Sequence, residues 1–350
     1  MTMGRDDGGG LAGTEGDRAA IVFGAVVTSL GAVALLAPSL LSRRFALEAV
    51  DQASILLTLR AVGPALIAMG AAAFLSRSRW WVGSQSFPVG FGLLVVAGYL
   101  SLTTCLRDWM VDDAAITFAY SRSLAQGHGL VIRPGHVPEE GYSNTSWMLF
   151  LAAARWLGAD IAVTAKRACI ACGALATVLC IYVCHQLTDR RARFALLALG
   201  ATVCLGAPFV IWSASGLEHA AQAALLAAII AAPLWPRIER WLMAAALAAL
   251  VLTRPEAPLV VAFVAAVLLL RDRSWPAIRA AVARYWPVVV VPGLAWAALT
   301  VFRLAYFHEL LSNPYYAKAT DANWFRLANF VGGGWSYVFG WLADARTWLL

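Results

Sequence analysis

Residues 87–131 read FPVGFGLLVVAGYLSLTTCLRDWMVDDAAITFAYSRSLAQGHGLV. The stretch 87–106 is apolar and carries no charge. Its length suits one crossing of a bilayer as a helix. Asp112 and Asp113 stand just past its end, where a span meets water. Behind them Ile116, Tyr120 and Leu124 recur at i, i+4 and i+8, the spacing of a helix with one apolar face, and Gly127 can end it. A span followed by a charged, surface-lying helix and a loop rich in Gly, His and Asn predicts an all-α, polytopic bundle of transmembrane helices. Its first large outer loop carries the chemistry.

The whole chain agrees with that pattern. It has 350 residues, 61% of them hydrophobic and 13% charged, with a mean hydropathy of +0.71. A water-soluble domain of this length has no use for so much apolar surface. The net charge of +7 would suit a nucleic-acid binder in a soluble chain. Here the arginines fall at span ends, so topology explains them, the bilayer is the expected partner, and no nucleic acid is.

Ten spans are expected, near 19–41, 54–75, 87–106, 165–187, 194–212, 217–235, 241–253, 257–270, 286–302 and 335–350. One set of connections is arginine-bearing: Arg77 and Arg79; Arg190, Arg191 and Arg193; Arg237 and Arg240; Arg271, Arg273, Arg279 and Arg284. These belong inside by the positive-inside rule. The other set, 107–164, 213–218, 253–256 and 303–334, then lies outside; Arg43 and Arg44 run against this scheme. Within 241–270, Pro255 and Pro258 predict two short spans meeting at an outer turn rather than one long helix. The segment 145–158 is too short to cross and reads as a juxtamembrane or re-entrant helix. The expected organisation is a disordered cytoplasmic tail over 1–18, two accessory spans within 19–86, and a transmembrane catalytic module over 87–350, cut short at its C-terminal end. The chain is expected in the plasma membrane as a multi-pass protein. Cys169 and Cys172 form a C-x-x-C inside an apolar helix, which reads as core packing.

The polar motifs collect on the outer side. Asp at a helix start commonly caps free N–H groups, but one cap needs only one Asp. The second carboxylate of the Asp112-Asp113 pair is left for other work. Adjacent carboxylates repel, which favours proton exchange at one of them, and the pair could hold a divalent cation. A turn-rich loop follows, with His128, then Glu139, Glu140, Tyr142, Ser143 and Asn144. Ser143 or Asn144 reads as the cap of the next helix. Glu218, in Ser-Gly-Leu-Glu-His, opens a span and complements a helix N-terminus. Arg254 and Glu256 flank Pro255 in a tight turn, where a buried charge needs a partner or an anionic ligand. Tyr316 and Lys318 lie in the last outer loop.

In this order and with this sidedness, DDAAITFAYSRSLAQGHGLVIRPG, EEGYSNTSW, SGLEHA, TRPEA and YYAKA resemble the GT-C superfamily of integral-membrane glycosyltransferases. Within it they look most like the group of the actinobacterial terminal β-(1→2)-arabinofuranosyltransferase of arabinan synthesis. The resemblance covers about residues 87–350. It implies a polyprenyl-phosphate sugar as donor, a cell-envelope glycan or lipid as acceptor, and a site on the extracytoplasmic face. It also implies an essential Asp in the first large outer loop. That role maps onto Asp112 or Asp113, with Asp112, first in the motif, favoured and Asp113 as its partner. Inverting displacement with an Asp general base follows from the same resemblance. Arg254 and Lys318 are the candidates for the donor phosphate. His128, Glu140, Tyr142, Asn144, Glu218, Glu256 and Tyr316 are further candidates for substrate binding. Tyr142 and Trp147 stand where an acceptor sugar could stack, although for Trp147 anchoring at the membrane interface is the simpler reading. Two differences stand out: two spans precede the one that looks like the family's first, and HVPEE (136–140) replaces a tighter acidic run. The rival readings are a lipid or sugar transporter or flippase, and a non-catalytic scaffold of the same fold. Against transport, the expected spans hold few polar residues near the midplane.

Overall fold

The computed structural model describes residues 86–186, 190–270 and 274–314, with Tyr316, Ser336 and Phe339. The tail 1–18, the expected spans 19–41 and 54–75, Arg43, Arg44, Arg77, Arg79 and Lys318 lie outside the described residues, as does most of 335–350. Among the described residues the regular structure is helical and there is no strand. The helices are α1 (Ser86–Thr104), α2 (Ala114–Ala125), α3 (Thr145–Trp156), α4 (Ile161–Gln186), α5 (Arg190–Leu205), α6 (Ala207–Ser213), α7 (His219–Ala231), α8 (Glu239–Thr253), α9 (Ala257–Leu270) and α10 (Trp275–Tyr306).

The chain divides into two compact units. One holds the described residues up to Cys105 together with Cys180–Ile211. In it α1 packs on α5. Gly98 makes the approach close, since a Cβ there would stand 3.3 Å from the Leu205 side chain.

The other unit, Leu106–Leu179 and the described residues from Trp212 on, carries the polar motifs. One apolar cluster is built from α7, α8, α9 and α10 around Met243, Leu247, Leu250, Ala257 and Val288. The chain leaves the helical conformation at Arg254, which is extended (φ −141°, ψ 134°), so 241–270 is two helices and not one. One ionic group ties α8 to α10, and their far ends share one cavity. Near their starts, Glu239 accepts hydrogen bonds from Arg284 Nη2 (2.6 Å) and Tyr285 Oη (3.0 Å). At their other ends, Arg254 and Arg303 line one cavity. The two helices therefore run parallel and pack on each other, and α9, which joins the end of one to the start of the other, runs back alongside them. Arg284 and Arg303 are separated by about 28 Å of helix, close to the roughly 30 Å hydrocarbon thickness of a bilayer.

α10 begins at Trp275, earlier than the 286 expected from apolarity. Pro at the first turn suits a helix start, and Arg279 and Arg284 ride on the helix instead of preceding it. Among the described residues two helices, α4 and α10, are long and apolar enough to cross a membrane. Only 28% and 22% of their apolar windows is buried within the protein, unlike the core helix of a water-soluble domain. α9 is apolar all round, and Leu259 and Phe263 on it are exposed. Such surface suits lipid.

α2 and α3 form the expected short helices beside these. α2 ends as its sequence indicates. Gly127 takes φ +79°, and the amides of Gly127 and His128 turn back to the carbonyls of Leu124 and Ser123, a Schellman closure. Trp147 departs from the interface reading: it is buried among Leu151, Ile161, Ala165 and Cys169, and its Nε1–H donates to Gly216 O at 3.1 Å. Cys169 belongs to that same core, as expected of the C-x-x-C, and its thiol donates to Leu217 O.

Candidate functional site

A cavity of about 530 Å³ opens in the second unit. Its walls come from the start of α2 (Asp113, Ile116, Thr117), the loop 141–144, Trp212 and 217–219, Arg254 with Pro255, Arg303, and Leu311, Ser312 and Pro314. The sequence motifs DD, GYSN, SGLEH and TRPE thus share one space.

Local chemistry brings them there. The chain leading to Asp113 is held by Lys166, whose Nζ donates to the carbonyls of Leu106, Arg107 and Trp109. Val111 N–H then bonds Ser215 O at 3.2 Å, tying that segment to the turn before Glu218. That turn needs Gly216: its φ is +85°, and a Cβ would meet Met110 at 3.2 Å. Trp147 and Cys169 grip its carbonyls from the other side.

Three helices start at the cavity, and the residues in their N-cap positions are Asp113, Asn144 and Glu218. None of the three makes a side-chain cap hydrogen bond. The capping reading of Asn144 is therefore corrected, since a long-range network takes its side chain instead; Glu218 stands at the start of α7 as expected, and its carboxylate belongs to the same network. Glu218, 2% exposed, accepts Arg254 Nη1 at 2.7 Å on one oxygen and Asn144 Nδ2 at 2.5 Å on the other. Asn144 also bonds Thr117 Oγ1. Arg254 turns its Nε to Glu256 at 2.8 Å. Burial works against the Arg254 charge, but its two carboxylates outweigh burial and raise its pKa. Asp113 is exposed, lines the cavity and makes no such pairing; Asp112 is exposed too, does not line the cavity, and accepts the Asp113 N–H at 3.0 Å.

A second buried pair fixes the loop. Arg303 donates Nε to Glu140 Oε2 (2.6 Å) and Nη2 to Glu140 Oε1 (2.9 Å). The Glu140 carbonyl accepts Asn313 N–H at 2.9 Å. Tyr142, next along, lines the cavity, is 2% exposed, and its hydroxyl has no hydrogen-bond partner. Burial first, and the Glu140 charge second, push its pKa up, so the phenol keeps its proton.

The remaining candidates are spread out. His128 is exposed and does not line the cavity. Glu256 touches it only through Arg254. Tyr316 is half-buried, and its hydroxyl accepts the amide of Leu311, a cavity residue. Lys318 is outside the described residues. Among the described residues no three of His, Cys, Asp and Glu gather as a metal cluster. Sequence reasoning missed Arg303, Trp212 and Thr117. For Arg303 a signal existed: an arginine directly after an apolar run, on the side where arginines are scarce, needs a buried partner.

No protein-family model, no curated protein and no solved structure matches this chain.

Proposed function

We propose that the protein is a multi-pass membrane glycosyltransferase. It moves a sugar from a polyprenyl-phosphate donor to a glycan or lipid acceptor on the extracytoplasmic face, by a single inverting displacement. The observation that carries this reading is the convergence of Asp113, the Asn144–Glu218–Arg254 network and Tyr142 on one cavity. Of the two carboxylates we take Asp113 as the base, because Asp113 lines the cavity and Asp112 does not.

Asp113 takes the proton of an acceptor hydroxyl, the oxygen attacks the anomeric carbon, and the bond from that carbon to the phosphate oxygen breaks. Polyprenyl phosphate leaves with the electron pair. Positioned base catalysis contributes on the order of a hundred- to ten-thousandfold. Arg254 shares its charge with two carboxylates but keeps unused N–H groups for the departing phosphate. The positive ends of α3 and α7, both at the cavity, add to it. Arg303 acts through Glu140 as a positioning residue for the loop that carries Tyr142 and Asn144. In the full reading the chain crosses the membrane ten times, the polyprenyl tail lies against the exposed apolar helix faces, and a divalent cation is an optional partner of the Asp pair.

The test is incubation of membranes bearing the protein with labelled polyprenyl-phosphate sugars, followed by analysis of product linkage. Transfer is expected from the wild type and lost in Asp113→Asn. Transfer that survives Asp112→Asn, Asp113→Asn and the double substitution overturns the assignment.

A further inference from the structure

Trp212 and His219, like Tyr142, are aromatic groups of the cavity wall that the network above does not use. Their rings pack with centroids 4.5 Å apart and planes at 36°. Trp212 remains 43% exposed although it lines a cavity. His219 Nδ1 is enclosed and has no hydrogen-bond partner. The Tyr142 hydroxyl is in the same condition, on another wall of the same cavity. Buried polar atoms are paired in the great majority of cases, so two orphans around one cavity point to a partner that is absent from the bare protein. Each orphan asks for a neutral group: a phenol that keeps its proton, and an imidazole nitrogen. The exposed indole adds a flat apolar surface to the same cavity.

We infer that Trp212, His219 and Tyr142 form a subsite for a neutral sugar ring, whose apolar face lies on the indole and whose hydroxyls meet His219 Nδ1 and Tyr142 Oη. The inference rests on the transferase reading for its place in the reaction, but the binding chemistry stands by itself. A ring bearing hydroxyls on its edge and C–H groups on its face matches one aromatic plate and two hydrogen-bonding atoms. A phosphate does not, because neither the indole face nor the Tyr142 hydroxyl beside the Glu140 carboxylate favours an anion. The sugar can come from the donor or from the acceptor.

The experiment uses the full chain in lipid nanodiscs and a panel of methyl furanosides and methyl pyranosides, with binding read by saturation-transfer NMR. At least one glycoside is expected to bind. Tyr142→Phe removes only an unpaired hydroxyl, so it should weaken binding about three- to tenfold, the worth of one neutral hydrogen bond, without lowering the melting temperature. Trp212→Ala should weaken it more than Trp212→Phe does. Trp156→Ala, an exposed tryptophan at the end of α3, should leave binding unchanged. Displacement of the glycoside by a polyprenyl-phosphate sugar assigns the subsite to the donor; glycosylation of the probe assigns it to the acceptor. Binding that ignores both Tyr142→Phe and Trp212→Ala, or no binding of any glycoside to the wild type, overturns the inference. Glycosides that bind through Tyr142 and Trp212 in a protein whose membranes transfer no sugar leave the subsite standing and remove the transferase reading. Transfer that needs Asp113 but ignores Trp212 and Tyr142 does the opposite.

Discussion

Arg303 and Glu140 meet as a two-pronged pair, at 2.6 and 2.9 Å, with both side chains buried. The contact spans 163 positions of sequence and pins the loop before α3 to the end of α10. Removing one partner strands a buried charge, which costs about 3–5 kcal/mol. Glu140→Gln and Arg303→Met should each lower the melting temperature of the purified protein sharply. Arg303→Lys should fall between them and the wild type, because an ammonium keeps the charge but not the planar fork. A double Glu140→Gln, Arg303→Met variant should be less destabilised than the two single losses added together. Additive losses would show that the pair is not coupled.

Asn144 separates a cap from a tertiary tie. It occupies the N-cap position of α3, yet its amide serves Glu218 and Thr117. If capping were its role, Asn144→Asp and Asn144→Ser would be mild. The geometry gives the reverse order. Asn144→Asp sets a carboxylate against buried Glu218 and should be the most damaging; Asn144→Ala should cost about 1–3 kcal/mol for an unsatisfied buried oxygen. Chemical denaturation of the three variants checks the ranking.

These two networks also mark where sequence reading stops. α2 and its end at Gly127 were legible because periodicity and a Schellman glycine are local signals. The break at Arg254 was legible because two prolines cluster there. Arginine placement grouped DD, GYSN, SGLE and TRPE in one set of connections, and the structure brings them to one cavity. Nothing local tells Asn144 to find Glu218, 74 positions away, or Glu140 to find Arg303. Cap-competent residues at helix starts invite a cap assignment, and only the packed structure shows their side chains committed elsewhere. Trp147 misleads for a related reason: tryptophan suits both an interface and a core, and the Gly216 carbonyl that receives its N–H is 69 positions away.

Asp113 and Asp112 should part company in activity. Asp113 lines the cavity while Asp112 binds a backbone amide. Asp113→Asn should cut sugar transfer on the order of a hundredfold or more. Asp112→Asn, whose amide oxygen still accepts the Asp113 N–H, should lose much less. Rates in membranes with matched protein levels measure the ratio. Equal losses would mean that the pair works as one unit.

Tyr142 gives a pH dependence of definite sign. Its pKa in the folded protein is raised above the ordinary value of 10.0 by burial and by Glu140. The unfolded chain therefore releases this proton at lower pH than the folded one. The stability linked to it is whole below pH 10 and falls as pH rises from there toward the folded pKa. Thermal melts of wild type and Tyr142→Phe, close at neutral pH, should separate as pH rises to 11, with the wild type losing more. Parallel curves would show that the phenol does not titrate differently on folding.

In the proposed multi-pass arrangement, the parallel course of α8 and α10 sets their two ends on opposite faces of the membrane. Glu256, at the cavity end, is partly exposed, and Trp275, at the start of α10, is well exposed. In a background with the six native cysteines replaced, Glu256→Cys should react with a membrane-impermeant maleimide added to intact cells. Trp275→Cys should react only after permeabilisation. A reporter fused after Leu187 should be cytoplasmic and one after Ser213 external, since the arginine-bearing 190–193 connection belongs inside. The opposite labelling would turn the cavity to the cytoplasm and deprive it of an extracytoplasmic acceptor. Labelling of both cysteines from the same side would mean that α8 and α10 do not cross, and the hydrocarbon-length spacing of Arg284 and Arg303 would then lose its membrane meaning.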